Sequence, residues 1–222
     1  VAFVQSASNA SGGSSASVTP SSAPTSGNVA VITINSNGSS TTHTDNNGST
    51  PFTKETDEQG NGTHSIATFY RVLGGSEPAT YNFDLSSSQN KSIIYQEFSL
   101  IDTSDVWDVP PSATTSDEGT GTTATAPSMT TSNDGAMGVI FAAVDSSGVT
   151  FSAPTNSYTN LISEPDNRSS ACASRVFATA GATGTTALTL GSDDWIIHQF
   201  ALKPAAVTGG DIAVLRRRIN GR

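Results

Sequence analysis

Cysteine is almost missing from this chain: Cys172 stands alone among 222 residues. One thiol excludes an intrachain disulfide framework and any metal site built from several cysteines. Set in the apolar run Ala171-Cys172-Ala173, it reads as a small buried side chain. Basic residues are scarce as well, ten Lys and Arg against nineteen Asp and Glu, for a net charge of −9. Phosphate contacts need clustered Lys and Arg, so no nucleic-acid partner is expected. No apolar stretch approaches the ~20 residues of a membrane-spanning helix, and no membrane partner is expected either. The chain opens on Val1 without a signal-peptide pattern, which reads as a processed or incompletely given start. The three histidines, His43, His64 and His198, lie far apart, and neither His-Glu-x-x-His nor Gly-x-Ser-x-Gly occurs. Catalytic, cofactor-binding and metal residues are therefore expected to be absent.

What the chain has in excess is hydroxyl: 34 Ser and 30 Thr, with 20 Gly. Its apolar residues, 35% of the total, gather in short runs between polar turns. That pattern predicts strands joined by long polar loops rather than a disordered chain. The runs also repeat. Ser92-Ile93-Ile94-Tyr95-Gln96-Glu97-Phe98-Ser99-Leu100 returns as Trp195-Ile196-Ile197-His198-Gln199-Phe200-Ala201-Leu202. The first copy is one residue longer, which a β-bulge at Glu97 or a neighbour would accommodate. Residues 28–34 match 136–142, 67–72 match 174–178, and 80–85 match 186–190, in the same order. The prediction is an all-β fold: a two-sheet antiparallel β-sandwich, jelly-roll-like, built from an internal duplication spanning about 28–101 and 136–203. One sandwich domain would cover 1–204, because half a sandwich could not bury its own apolar face.

Beyond Pro204 the character changes. Gly209-Gly210 breaks the chain, and Asp211-Ile212-Ala213-Val214-Leu215 runs into Arg216, Arg217, Arg218 and Arg222. Acid at the start and arginines at the end suit a short helix. Residues 205–222 are read as a tail for assembly or anchoring. Ile212, Val214 and Leu215 would supply apolar contact, and the arginines would meet acidic surface on a partner.

Three further groups could carry chemistry. Glu55-Thr56-Asp57-Glu58, or the Asp102, Asp105 and Asp108 series around Trp107, could supply oxygens to Ca²⁺, although neither matches a defined calcium loop. Glu97 lies inside an apolar strand, the place for a glycosidase carboxylate, but no partner can be named and an outward residue at a bulge is the plainer reading. His198 falls where the first repeat has Tyr95, which favours packing over ligation. Tyr70, Tyr81, Tyr95, Trp107, Tyr158 and Trp195 could form a sugar-stacking platform or fill the core.

Several short motifs form a series along the chain: Tyr70-Arg71-Val72, Ser76-Glu77-Pro78-Ala79-Thr80-Tyr81-Asn82-Phe83, Ala126-Pro127-Ser128-Met129-Thr130-Thr131, Asp134-Gly135-Ala136-Met137, Ala180-Gly181-Ala182-Thr183-Gly184 and Phe200-Ala201-Leu202-Lys203-Pro204. Over about 27–204 this series resembles β-sandwich structural proteins of tailed bacteriophages and environmental viral sequences. It departs from them at Pro51-Phe52-Thr53, where the family usually carries Gly-Trp. The resemblance implies a non-enzymatic virion protein (capsid decoration, fibre or tail appendage) located in the extracellular particle. Its partners would be other virion proteins and copies of itself, with a host-surface glycan as a further candidate. Similar modules in secreted bacterial proteins support the alternative of a carbohydrate-binding or adhesive module.

Overall fold

The structure is a computed structural model that describes residues 1–60, 63–152 and 154–206. The predicted tail contacts Ile212, Val214, Leu215, Arg216, Arg217, Arg218 and Arg222 lie outside the described residues. Every regular element among the described residues is a β-strand. The first half comprises β1 (Ala2–Ser11), β2 (Ser15–Val18), β3 (Val29–Asn37), β4 (His43–Asp45), β5 (Thr53–Gln59), β6 (His64–Val72), β7 (Tyr81–Leu85) and β8 (Lys91–Ser99). The second comprises β9 (Trp107–Val109), β10 (Ser116–Ala126), β11 (Thr130–Thr131), β12 (Ala136–Val144), β13 (Thr159–Glu164), β14 (Ser170–Phe177), β15 (Gly181–Ala182) and β16 (Thr186–Leu202). One large sheet has the order β1-β8-β3-β6-β5, the other β10-β16-β12-β14-β13, and all their pairings are antiparallel.

The two central strands explain the arrangement. Every residue of β12 is buried. Met137, Val139, Phe141 and Ala143 face the first large sheet, while Ala136, Ile140, Ala142 and Val144 face outward into a second core. In β3, Val29 and Val31 join the core between the sheets, and Ala30, Ile32 and Ile34 join one on the far side. A strand covered on both faces loses the alternation of a half-wet strand and reads as a continuous apolar run. Packing is tight at Gly138: a Cβ there would run into the Phe177 ring and the Tyr158 hydroxyl.

The expected two-sheet sandwich is present between the large sheets, and each sheet carries a further layer outside it. On the first, β2-β7-β4 covers a core in which Tyr81 lies over Tyr95, with ring centroids 5.8 Å apart, and Phe52 and Phe69 flank Phe83. On the second, the early part of β16 and the late part of β10 bring Ala124, Ala126, Leu188 and Leu190 over Ile140, Ala142 and Val144. Each half therefore buries an apolar face of its own, contrary to the expectation that half a sandwich could not.

The contact between the large sheets is apolar toward one pole, with Val29, Phe98, Met137, Phe200 and Leu202. Further along it becomes hydrogen-bonded. Thr33 meets Cys172 Sγ at 3.3 Å and Ser92 meets Ser170 at 2.7 Å. Asn35 Nδ2 donates to the carbonyls of Val144 and Ser169 at 3.0 and 3.1 Å. Beyond them Arg168, 5% exposed, donates to Asp145, Asn37 and Thr63, tying one half to the other.

The register corrects the repeat alignment. Phe98 pairs with Val29 and Leu202 with Met137, so His198 corresponds to Ile94 rather than Tyr95. The bulge is on β1, where Val4 is the extra residue between Phe3 and Gln5. Along β8 the pairing with β3 runs unbroken through Glu97.

Candidate functional site

Polar side chains with catalytic potential are present, but the fold turns most of them inward. Ser36 on β3, His43 on β4 and Asp57 on β5 form a relay the sequence did not reveal. Ser36 Oγ lies 2.9 Å from His43 Nε2, and His43 Nδ1 lies 2.8 Å from Asp57 Oδ1. Asp57 also accepts from the His43 backbone N–H at 3.0 Å and from Lys54 at 2.8 Å. Burial pulls the Asp57 carboxyl up, but the hydrogen bonds from His43 and Lys54 outweigh it and hold the pKa below the ordinary carboxylate range. The order of groups is that of a serine-hydrolase relay. A nucleophile, however, has to meet its substrate, and Ser36 and His43 are both 0% exposed. In this setting the relay fastens three successive strands together.

His198 faces the space between the large sheets, where its Nε2 comes within 3.3 Å of Glu58. That contact lowers the Glu58 pKa against the opposing effect of burial. His64, also buried between the halves, has its pKa pushed down to about 4 by burial. Cys172 is buried as expected, and burial raises its thiol to about 12, which suppresses thiolate chemistry.

Glu97 is buried, not outward-facing. It accepts hydrogen bonds from Asn28 Nδ2 and Gln5 Nε2, each at 2.6 Å, from the Tyr95 hydroxyl at 2.8 Å and from the Thr25 N–H at 3.0 Å. Burial alone would raise its pKa; these donors reverse the sign and leave it lowered. All four partners are donors, so the carboxylate anchors the 20–28 segment to β8. The acidic clusters are likewise divided among separate tasks. Glu55 accepts from Trp107, Asp102 from Ser104, Asp105 from Lys203, and Asp108 from Ser132 and Asn133. Among the described residues no three His, Cys, Asp or Glu side chains gather as metal ligands would.

The aromatic residues separate into two groups. Tyr81, Tyr95, Tyr158 and Trp195 are buried in the cores. Tyr70 and Trp107 are half-buried side by side, centroids 5.2 Å apart and planes at 74°, in a cleft of about 490 Å³ between the β5–β6 end and the 103–107 segment. At the apolar pole a second depression, about 670 Å³, is lined by Val1, Leu100, Lys203 and residues 204–206. Leu100 there is 67% exposed and left-handed (φ 60°), and its carbonyl accepts the Ala205 N–H at 2.9 Å. Set against known families, curated proteins and solved structures, the chain matches none.

Proposed function

We propose that this chain is a non-enzymatic structural protein of a tailed-phage particle, a decoration, fibre or tail-associated appendage that works by subunit assembly. In this reading the pole around Leu100 is the attachment end and the rest of the sandwich is displayed. The whole would be one jelly-roll-like sandwich built from an internal duplication, a view supported by the common strand order and register of the two halves. The observation that carries the attachment reading is Leu100. A γ-branched apolar side chain is held in water, in a backbone conformation costing roughly 1–2 kcal/mol for an L-residue. It borders a groove lined by Val1 and by the segment that leads into the tail. In this reading Leu100 and the adjoining groove are what a neighbouring subunit would cover.

Two changes test the reading, each followed by particle incorporation and by thermal unfolding. Ending the chain at Ala206 removes Ile212, Val214, Leu215 and the four arginines; the remainder is expected to stay folded and soluble yet fail to join particles. Leu100→Gly removes the apolar group while suiting the left-handed backbone. Its melting temperature should equal or exceed that of the unaltered chain, while incorporation falls. Normal incorporation of both proteins would refute attachment through this pole.

A further inference from the structure

We infer that the cleft holding Tyr70 and Trp107 is a binding site for a neutral saccharide. The inference does not depend on the attachment reading, because this cleft and the Leu100 groove share no lining residue. Its chemistry selects the ligand class step by step. The two half-buried rings offer apolar π surface against which the C–H face of a pyranose can pack. Trp107 is fixed for this role: its indole N–H donates to Glu55 at 3.0 Å, and Phe200 supports it edge-on at 5.7 Å. A preset aromatic loses little freedom when a ligand arrives.

The polar groups argue against an anionic ligand. Among the described residues Arg71 is the only cation in the lining, and both of its terminal nitrogens are engaged, one by the Thr50 carbonyl and one by Glu77 at 2.9 Å. Its charge is met by the Glu77 carboxylate, so the lining offers a phosphate or carboxylate no unpaired cation among the described residues. What the rim does offer is Asp105, whose side chain is 64% exposed and whose Oδ2 accepts from Lys203 at 2.8 Å. That leaves Oδ1 for a ligand hydroxyl. Thr53 and Ser104 add small hydroxyls around the rings. An acidic acceptor, short hydroxyls and two aromatics suit a ligand rich in O–H donors with an apolar face and no charge.

The test uses the full chain, titrated with methyl glycosides and short oligomers of neutral hexoses and N-acetylhexosamines. Indole N–H signals are followed by NMR, with Trp195 (7% exposed) as the internal reference. A saturable shift confined to Trp107 is expected with at least one of these sugars. Asp105→Ala, at an exposed position, should leave the fold intact and weaken binding roughly tenfold, as one lost hydrogen bond of about 1.4 kcal/mol would. Trp107→Ala, measured by calorimetry, should abolish binding. If no sugar of the panel moves Trp107, if the shift survives Asp105→Ala undiminished, or if only sialylated or phosphorylated sugars bind, the inference fails.

Discussion

Laid on one another by register, the two large sheets solve the same packing problem with different residues. Ala30 on β3 corresponds to Gly138 on β12, and Arg71 to Arg175. Counting outward along the same strands, Asn37 corresponds to Asp145, and His64 to Arg168. Lys91 on β8 corresponds to Trp195 on β16. The outer strands differ in continuity. In the second half β10 and β16 run unbroken from the large sheet into the outer layer. In the first half the same path is cut twice, between β1 and β2 at Gly12-Gly13 and between β7 and β8. Five residues separate Leu85 from Lys91, whereas four separate Leu190 from Trp195. The one-residue length difference between the two halves therefore lies in this turn. Strand order and core are shared; corners and the polar seam are where the halves diverge.

The largest expected effect comes from exchanging the central residues. At Gly138 an added methyl would meet the Phe177 ring, which is held by Tyr158 edge-on at 6.2 Å and by the Arg175 guanidinium at 4.8 Å. With β12 buried on both faces, neither backbone nor ring can move away cheaply. Gly138→Ala should destabilise the protein by about 3 kcal/mol, the upper part of the range for overpacking. The converse, Ala30→Gly, removes one buried methyl and loosens a strand, at a cost of roughly 1 kcal/mol. Denaturant midpoints of the two variants decide the matter; equal losses would mean that the two central strands are equally packed after all.

How much of this was legible in the sequence follows from which strands are covered. β3, β8, β12 and the late part of β16 announce themselves because burial on both faces gathers apolar residues into short runs, at 29–32, 93–95, 139–144 and 195–197. The edge strands do not: β5 reads Thr-Lys-Glu-Thr-Asp-Glu-Gln and β13 Thr-Asn-Leu-Ile-Ser-Glu. Their place is fixed by backbone pairing to β6 and β14, which leaves little trace in side-chain pattern. The one-residue misalignment of His198 has a plain cause. Both repeats contain two adjacent isoleucines, so the apolar pattern fits two registers, and only pairing with β3 and β12 chooses between them. The site was legible in part. Tyr70 and Trp107 stood among six candidate aromatics, and what distinguishes them is a contact between residues 37 apart in sequence. The Ser36–His43–Asp57 relay carried no spacing signal at all.

The seam between the halves gives the next test. Arg168 and His64 occupy corresponding places, one hydrogen-bonded to Asp145, Asn37 and Thr63, the other buried with no partner on either ring nitrogen among the described residues. Asp145, Asp193 and Asp194 act on His64 to raise its pKa and Arg168 to lower it, yet burial dominates and leaves it at about 4. The unfolded chain, with an ordinary value near 6.5, binds the proton more readily. Stability is therefore complete above pH 6.5, declines as the pH falls toward 4 and levels off below, a loss of up to about 3 kcal/mol. The lowered carboxyls Asp57, Glu58 and Glu97 add a second, more acidic loss that starts near their ordinary values of 3.8 and 4.5 and runs down toward their lowered ones, so the two windows meet near pH 4. His64→Gln should flatten the pH 4–6.5 slope and leave the more acidic one. A slope unchanged by that substitution would place the acid sensitivity elsewhere.

The last test concerns the corner where one half breaks its strands and the other does not. In the second half Trp195 lies against Gly119, so close that a Cβ on the glycine would stand 2.7 Å from the indole. Apolar packing closes that corner. In the first half Lys91 takes the same place, fully buried, and its ammonium donates to the carbonyls of Gly13 at 2.7 Å and Gln89 at 3.1 Å. These carbonyls belong to the two chain breaks, so the lysine joins them as hydrogen-bonded strands would have. Burial lowers the pKa of Lys91, the expected cost of taking an ammonium out of water. Lys91→Met keeps the length and apolar stem but leaves both carbonyls without their donor, a loss of about 2 kcal/mol. It should also speed amide exchange in the 12–14 and 86–90 turns while leaving β10 and β16 untouched. If stability and exchange both stay as they were, the two breaks are held by their own backbone bonds, and Lys91 only fills the space that Trp195 fills in the other half.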